Sequence, residues 1–164
     1  GGSKRRAAPA PNLSAPAATP GTQPSLKILG QYTKDFSFEN PNAPQSLAPQ
    51  QQQPDINIAV NVNAKNLGPN DFEVELHLDA KATGDGKVVF AAELLYAGIF
   101  RLENFPQNVL HAAVLIECPR MLFPFARQIM AEATRNGGFP PLMLDPIDFA
   151  AMYQRRMAQQ KQSA

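Results

Sequence analysis

Two histidines, one cysteine and a nearby pair of glutamates are the residues best equipped for catalysis, and their settings argue against it. His77 lies on the polar side of an alternating segment, and His111 sits among Ala and Leu. Both read as ordinary surface or core histidines. Cys118 precedes a proline inside an apolar run, which is the setting of an inert core thiol. No spacing of Cys and His fits a structural zinc site. Gly84-Asp85-Gly86 suits a hairpin and is no phosphate-cradling loop. Glu73 and Glu75 share a face with Asp71 and Asp79, so a solvated acidic surface explains them better than a tuned carboxylate pair. The sequence therefore predicts no enzyme, no catalytic residue, no cofactor and no metal.

The more informative stretch lies between Gly138 and Asp148: Gly-Phe-Pro-Pro-Leu-Met-Leu-Asp-Pro-Ile-Asp. Its prolines forbid a helix or a central strand. Loops are normally polar, because they run over the surface. This one carries Phe139, Leu142, Met143, Leu144 and Ile147. Such a loop either plugs its own core or lines a surface that receives apolar groups from elsewhere, and the residues alone leave both open.

The elements that would position these residues follow from hydrophobic period. From Tyr32 the pattern alternates, with Tyr32, Lys34, Phe36 and Phe38 on one side and Thr33, Asp35, Ser37 and Glu39 on the other. A Gln- and Pro-rich crossover follows. Residues 55–64 alternate again, with Ile56, Ile58, Val60 and Val62 inward and Asn57, Asn61 and Asn63 outward. After a turn at 67–70, residues 71–83 put Phe72, Val74, Leu76 and Leu78 opposite a row of acids. Residues 87–102 carry bulk on both faces, so both sides of that strand are covered. Beyond Pro106 the period becomes helical. Pro119 and Pro124 predict a break, giving a short helix near 107–117 and a longer one near 121–136. Asn136-Gly137-Gly138 is a stop. Asp145 and Pro146 predict the start of a last helix, as cap and first residue. Strands followed by helices imply an α+β fold: a four-stranded antiparallel sheet with helices packed on one face.

Charge is unevenly placed. Residues 1–31 hold four bases and no acid, residues 32–103 ten acids against five bases, and residues 104–164 six bases against four acids. The acidic middle excludes nucleic acid as its partner and suits a basic protein. A single cysteine rules out an intrachain disulfide and fits a cytoplasmic protein. No apolar run reaches the ~18 residues of a membrane span, which argues against membrane insertion. Residues 1–25, rich in Ala and Pro, are expected to be disordered, and residues 158–164 to form a flexible tail.

Four blocks occur here in the order found in one family: Tyr32-Thr33-Lys34-Asp35-Phe36-Ser37-Phe38-Glu39-Asn40-Pro41-Asn42-Ala43-Pro44; Ala97-Gly98-Ile99-Phe100; Cys118-Pro119 with Leu122-Phe123-Pro124-Phe125-Ala126-Arg127; and Gly138-Phe139-Pro140 with Leu142, Leu144, Pro146, Ile147 and Phe149. Over residues 26–157 the chain resembles the SecB family of export chaperones. The resemblance implies a homotetramer, built as a dimer of dimers with the long helices between them. It implies an ATP-independent holdase that binds unfolded precursor proteins and delivers them to the SecA motor ATPase. It also implies two surfaces. The client-binding groove would use Ile56, Ile58, Val60, Phe139, Leu142, Leu144, Phe149, Met152 and Tyr153. The motor-docking surface would use Asp35, Glu39 and Glu93, with Ala91 where the family usually has a larger apolar residue. The same fold could serve other clients, such as an antitoxin, and a plain oligomeric scaffold with an internal loop is the contrasting reading.

Overall fold

The computed structural model describes residues 23–49 and 52–162. Strands β1 (Ser25–Glu39), β2 (Asp55–Asn66), β3 (Asp71–Gly84) and β4 (Lys87–Glu103) precede helices α1 (Gln107–Asn136) and α2 (Phe149–Gln162). The sheet is antiparallel with order β1-β4-β3-β2. β2 to β4 form a meander. Its last turn is Asp85-Gly86, with φ of 51° and 73°, the left-handed pair that matches strand twist in a two-residue hairpin. β1 and β2 stand at opposite edges of the sheet, so the connection between them is a crossover.

The helices cover one face, and the other is open. On the covered face Val74, Leu76 and Leu78 of β3 meet Leu94 and Phe100 of β4. α1 lays Val114, Cys118, Leu122, Ala126, Met130 and Thr134 onto them at a spacing of four residues. Gly98 sits beneath this stripe, where an added Cβ would come within 2.9 Å of Leu122 Cδ2.

The expected break in α1 does not occur. Pro119 and Pro124 lie inside a continuous 30-residue helix. Each proline removes one helical donor, at about 3 kcal/mol in a helix interior. The buried stripe runs through both positions, and its packing on the sheet outweighs that loss. α1 also corrects the count of apolar runs. Its most apolar 18-residue window is long and apolar enough to cross a bilayer, because Glu117 and Arg120 interrupt the run without lowering its mean hydropathy much. Close to half of that window is buried against the protein itself.

The second helix starts later than predicted. Residues 139–148 form an extended linker, and α2 begins at Phe149. Asp148 is the cap: its Oδ1 accepts from the Ala151 amide at 3.0 Å. Asp145 and Pro146 stay in the linker, since a residue before proline prefers extended backbone. α2 passes through residue 158 to Gln162. The expected tail therefore overlaps the last turns of α2, and residues 163–164, like 1–22, fall outside the described residues.

Two bulges correct the reading of β1. Leu29 and Lys34 are extra residues, without a partner on β4. Tyr32 pairs with Ala97, while Phe36 and Phe38 pair with Leu94 and Ala92. Tyr32 and Lys34 therefore point to the open face, and Phe36 and Phe38 to the helical face. The four do not share a side.

Candidate polypeptide clefts and acidic face

The proline-rich linker is fastened by one buried threonine. Thr134 is fully buried in the last turn of α1. Its carbonyl accepts from the Phe139 amide at 3.1 Å, and its Oγ1 accepts from the Leu142 amide at 2.8 Å. The same hydroxyl donates back toward the carbonyls of Met130 and Ala131. Gly138 reverses the chain at a φ of 97°, and Leu47 Cδ2 stands 2.8 Å from where its Cβ would be. The crossover is fastened to the same place: Asn40 Nδ2 donates to the Gly137 carbonyl at 3.1 Å, and Ser46 Oγ to Asn40 Oδ1 at 2.6 Å.

Crossover and linker together enclose a cleft of about 530 Å³. Leu47, Ile56, Val89, Phe90, Phe139, Leu142 and Met143 line it. Aromatic rings run along its floor, with Phe90 5.2 Å from Phe139 and 6.1 Å from Phe38 between centroids. Its mouth is greasy: Ile56 is 42%, Leu47 45% and Met143 64% exposed. A second cleft of about 370 Å³ lies between β2 and α2, lined by Val60, Val62, Leu115, Met152 and Tyr153 with three polar side chains of α2. Arg156 crosses it, its Nη1 donating to the Val62 carbonyl at 3.0 Å. Ile58 lies exposed on β2 between the residues of the two clefts.

Of the nine residues expected at a groove, Ile56, Phe139 and Leu142 meet in the first cleft, and Val60, Met152 and Tyr153 in the second. Leu144 and Phe149 do not join them. They are 7% and 2% exposed and belong to the core, so they support the clefts from below and offer no surface. The residues missed are Leu47, Val89 and Phe90. Leu47 was legible as the lone large apolar side chain in a Gln- and Pro-rich segment. Val89 and Phe90 were hidden by the bulge at the start of β4.

Asp35, Glu39 and Glu93 all lie on the open face, in register with Leu95, Ala91 and Ser37 respectively. Glu73, Glu75 and Asp79 of β3 share that face. Lys34 Nζ reaches Glu73 at 3.1 Å and Glu75 at 3.2 Å, and the Tyr32 hydroxyl donates to Glu73. These bonds hold the Glu73 carboxyl below the usual carboxylate range, the tyrosine bond contributing most. Partial burial, aided by Glu73, pushes the Tyr32 phenol up to about 12. Asp35 and Glu39 have no ion-pair partner among the described residues.

The possible reactive groups stay apart. His111 Nδ1 lies 3.2 Å from the Tyr153 hydroxyl, on the helical side of the sheet, and His77 lies on the open face. The described residues contain no cluster of three or more His, Cys, Asp or Glu placed to hold a metal ion. Cys118 is fully buried, and that burial pushes its thiol up to about 12, with Glu117 adding to the effect. Only the thiolate reacts. At pH 8 a disulfide reagent will therefore label the native protein at least ~100-fold more slowly than the urea-unfolded chain. Equal rates would show that the α1–sheet interface opens freely.

The fold matches that of the Mycobacterium tuberculosis SecB-like chaperone, solved with a ChAD peptide from an antitoxin, at a TM-score of 0.56 and 18% identity over 74% of this chain and 90% of that one. What the two share is the fold: an antiparallel sheet with helices packed on one face. The family model described as preprotein translocase subunit SecB matches residues 19–160. The protein-export protein SecB of Afipia carboxidovorans is 63% identical over 147 residues, covering 90% of this chain and 89% of its own length. That of Azorhizobium caulinodans is 60% identical over 145 residues, covering 88% and 91%. The chain belongs to the SecB family of protein-export chaperones.

Proposed function

We propose that this chain is a cytoplasmic, ATP-independent holdase that keeps precursor proteins unfolded and hands them to the SecA motor. The observation that carries the reading is the cleft between crossover and linker, whose apolar walls stay open to solvent in the folded chain. Clients bind there along Ile56, Phe139 and Leu142, at the second cleft along Val60, Met152 and Tyr153, and across exposed Ile58 between them. Affinity comes from apolar burial at ~25 cal/mol per Å². The ordering of a flexible client opposes it. Each site is therefore weak, and tight binding comes from one long client occupying several sites. Such binding reads greasiness rather than sequence, and folded proteins escape because they hide the same groups.

Several copies supply those sites. Phe36, Met121 and Phe125 are exposed on the helical side away from the clefts, and Phe36 and Phe125 flank a shallow apolar hollow of about 450 Å³. A dimer of dimers with α1 between its halves covers them. Asp35, Glu39 and Glu93 take the basic partner on the open face. The antitoxin peptide held by the Mycobacterium tuberculosis neighbour supports a second reading, a chaperone for non-export clients, which predicts client binding without motor binding.

The test joins native mass spectrometry to refolding of a denatured secretory precursor without nucleotide. The expected result is a tetramer that arrests refolding at near-stoichiometric amounts. A monomer without arrest activity overturns the reading.

A further inference from the structure

His77 is the one imidazole on the open face, and it lies against a proposed docking residue. Its Nε2 is 2.8 Å from Glu93 Oε1, with the two side chains 34% and 57% exposed. The neighbours on every side are known. On β3, Glu75 and Asp79 flank it, followed by Lys81. On β4, Leu95 stands opposite it, in register with Asp35 of β1. On β2 it faces only neutral groups, Ala59, Asn61 and Asn63. The helices lie on the other face. Lys34 is held by Glu73 and Glu75, and among the described residues the one ion-pair contact of Glu93 is with His77.

Histidine changes charge between about pH 5 and 8. An imidazolium is a full counter-charge to Glu93. A neutral imidazole is at most a hydrogen-bond donor, and Glu93 then keeps its whole charge for a partner. We propose that His77 tunes the strength of docking at this face: its imidazolium competes with the partner's Lys or Arg for Glu93, so docking of a basic partner weakens as pH falls from 7.5 to 5.5. The sign follows from charge. With an imidazolium at His77 the face is one unit less negative, and an incoming cation must first displace the resident one. This inference rests on the open face being the docking surface.

The experiment is calorimetric titration of the full chain at pH 5.5, 6.5 and 7.5 and constant ionic strength. Two probes are used, the SecA motor and a lysine decapeptide. The variants are His77→Gln, Glu93→Gln and the double substitution. His77→Gln is expected to bind both probes about threefold more tightly than the unaltered chain at pH 5.5 and equally at pH 7.5. In the Glu93→Gln background the same change is expected to do nothing. An unchanged thermal midpoint for His77→Gln separates this effect from folding. Binding of both probes with identical pH slopes in the unaltered chain and His77→Gln overturns the role of His77 and leaves the docking face standing. Failure of both probes to bind at any pH overturns the docking face and this inference together.

Discussion

Replacing Phe149 by alanine will destabilise the protein by about 3–5 kcal/mol, the range for a large aromatic removed from a packed core. Phe149 is 2% exposed and meets Phe123 edge-on at 6.2 Å between centroids. It is also the first residue of α2 and the only fully buried one there. The remaining attachments are lighter: partly buried Met152 and Tyr153, the Tyr153–His111 contact and the Arg156–Val62 hydrogen bond. Small domains have roughly 5–15 kcal/mol of stability in total, so this one truncation takes a large share. Denaturant midpoints will report it, and amide exchange will locate it, with protection lost first across 149–162. Met152→Ala, at a half-exposed position, is the control and will cost far less. A loss below 1 kcal/mol for Phe149→Ala would mean that α2 rests on the core without being part of it.

The second large effect is a clean separation of two binding activities. Ile56→Asp with Ile58→Asp removes two exposed apolar side chains on the helical side of β2. Each isoleucine is worth about 1.5–3 kcal/mol when fully covered. The double variant should need at least tenfold more protein to arrest refolding, and should bind the motor normally. Neutralising Asp35, Glu39 and Glu93 should do the reverse. Three exposed charge pairs at roughly 0.5–1 kcal/mol each multiply to about tenfold or more in motor affinity. Raising salt should imitate this second variant and not the first, because screening acts on charge and leaves apolar burial intact. If either variant damages both activities equally, the two surfaces are not independent.

Much of this was readable in the residues. Strands alternate where one face is covered and the other wet, so β2 and β3 announce themselves by period. The errors share a cause, which is that local signals were outweighed by packing that no local window contains. Pro119 and Pro124 weaken a helix locally, but the four-residue stripe from Val114 to Thr134 is buried along the whole sheet. In the linker, residue types alone give five apolar side chains. Backbone direction then sends Met143 outward and Leu144 inward, and only the Thr134 anchor fixes which is which. The residues expected at a groove fall in two clefts, and Arg156 of α2 crosses the one beside Val60 and Val62. In β1 the even-numbered apolar residues Leu26, Ile28, Tyr32, Phe36 and Phe38 look like one continuous face. Two bulges, unseen in that count, turn Tyr32 to the far side between them.

Those bulges also say where the strand can lose length. Leu29 and Lys34 are supernumerary: excising either leaves each flanking residue opposite the same β4 neighbour as before. Excising any other residue between 30 and 38 forces the strand to slide or to consume a bulge in compensation. In a deletion scan of this segment, single-codon losses should be tolerated at 29 and 34, with Δ34 giving up only the ammonium that Glu73 and Glu75 share.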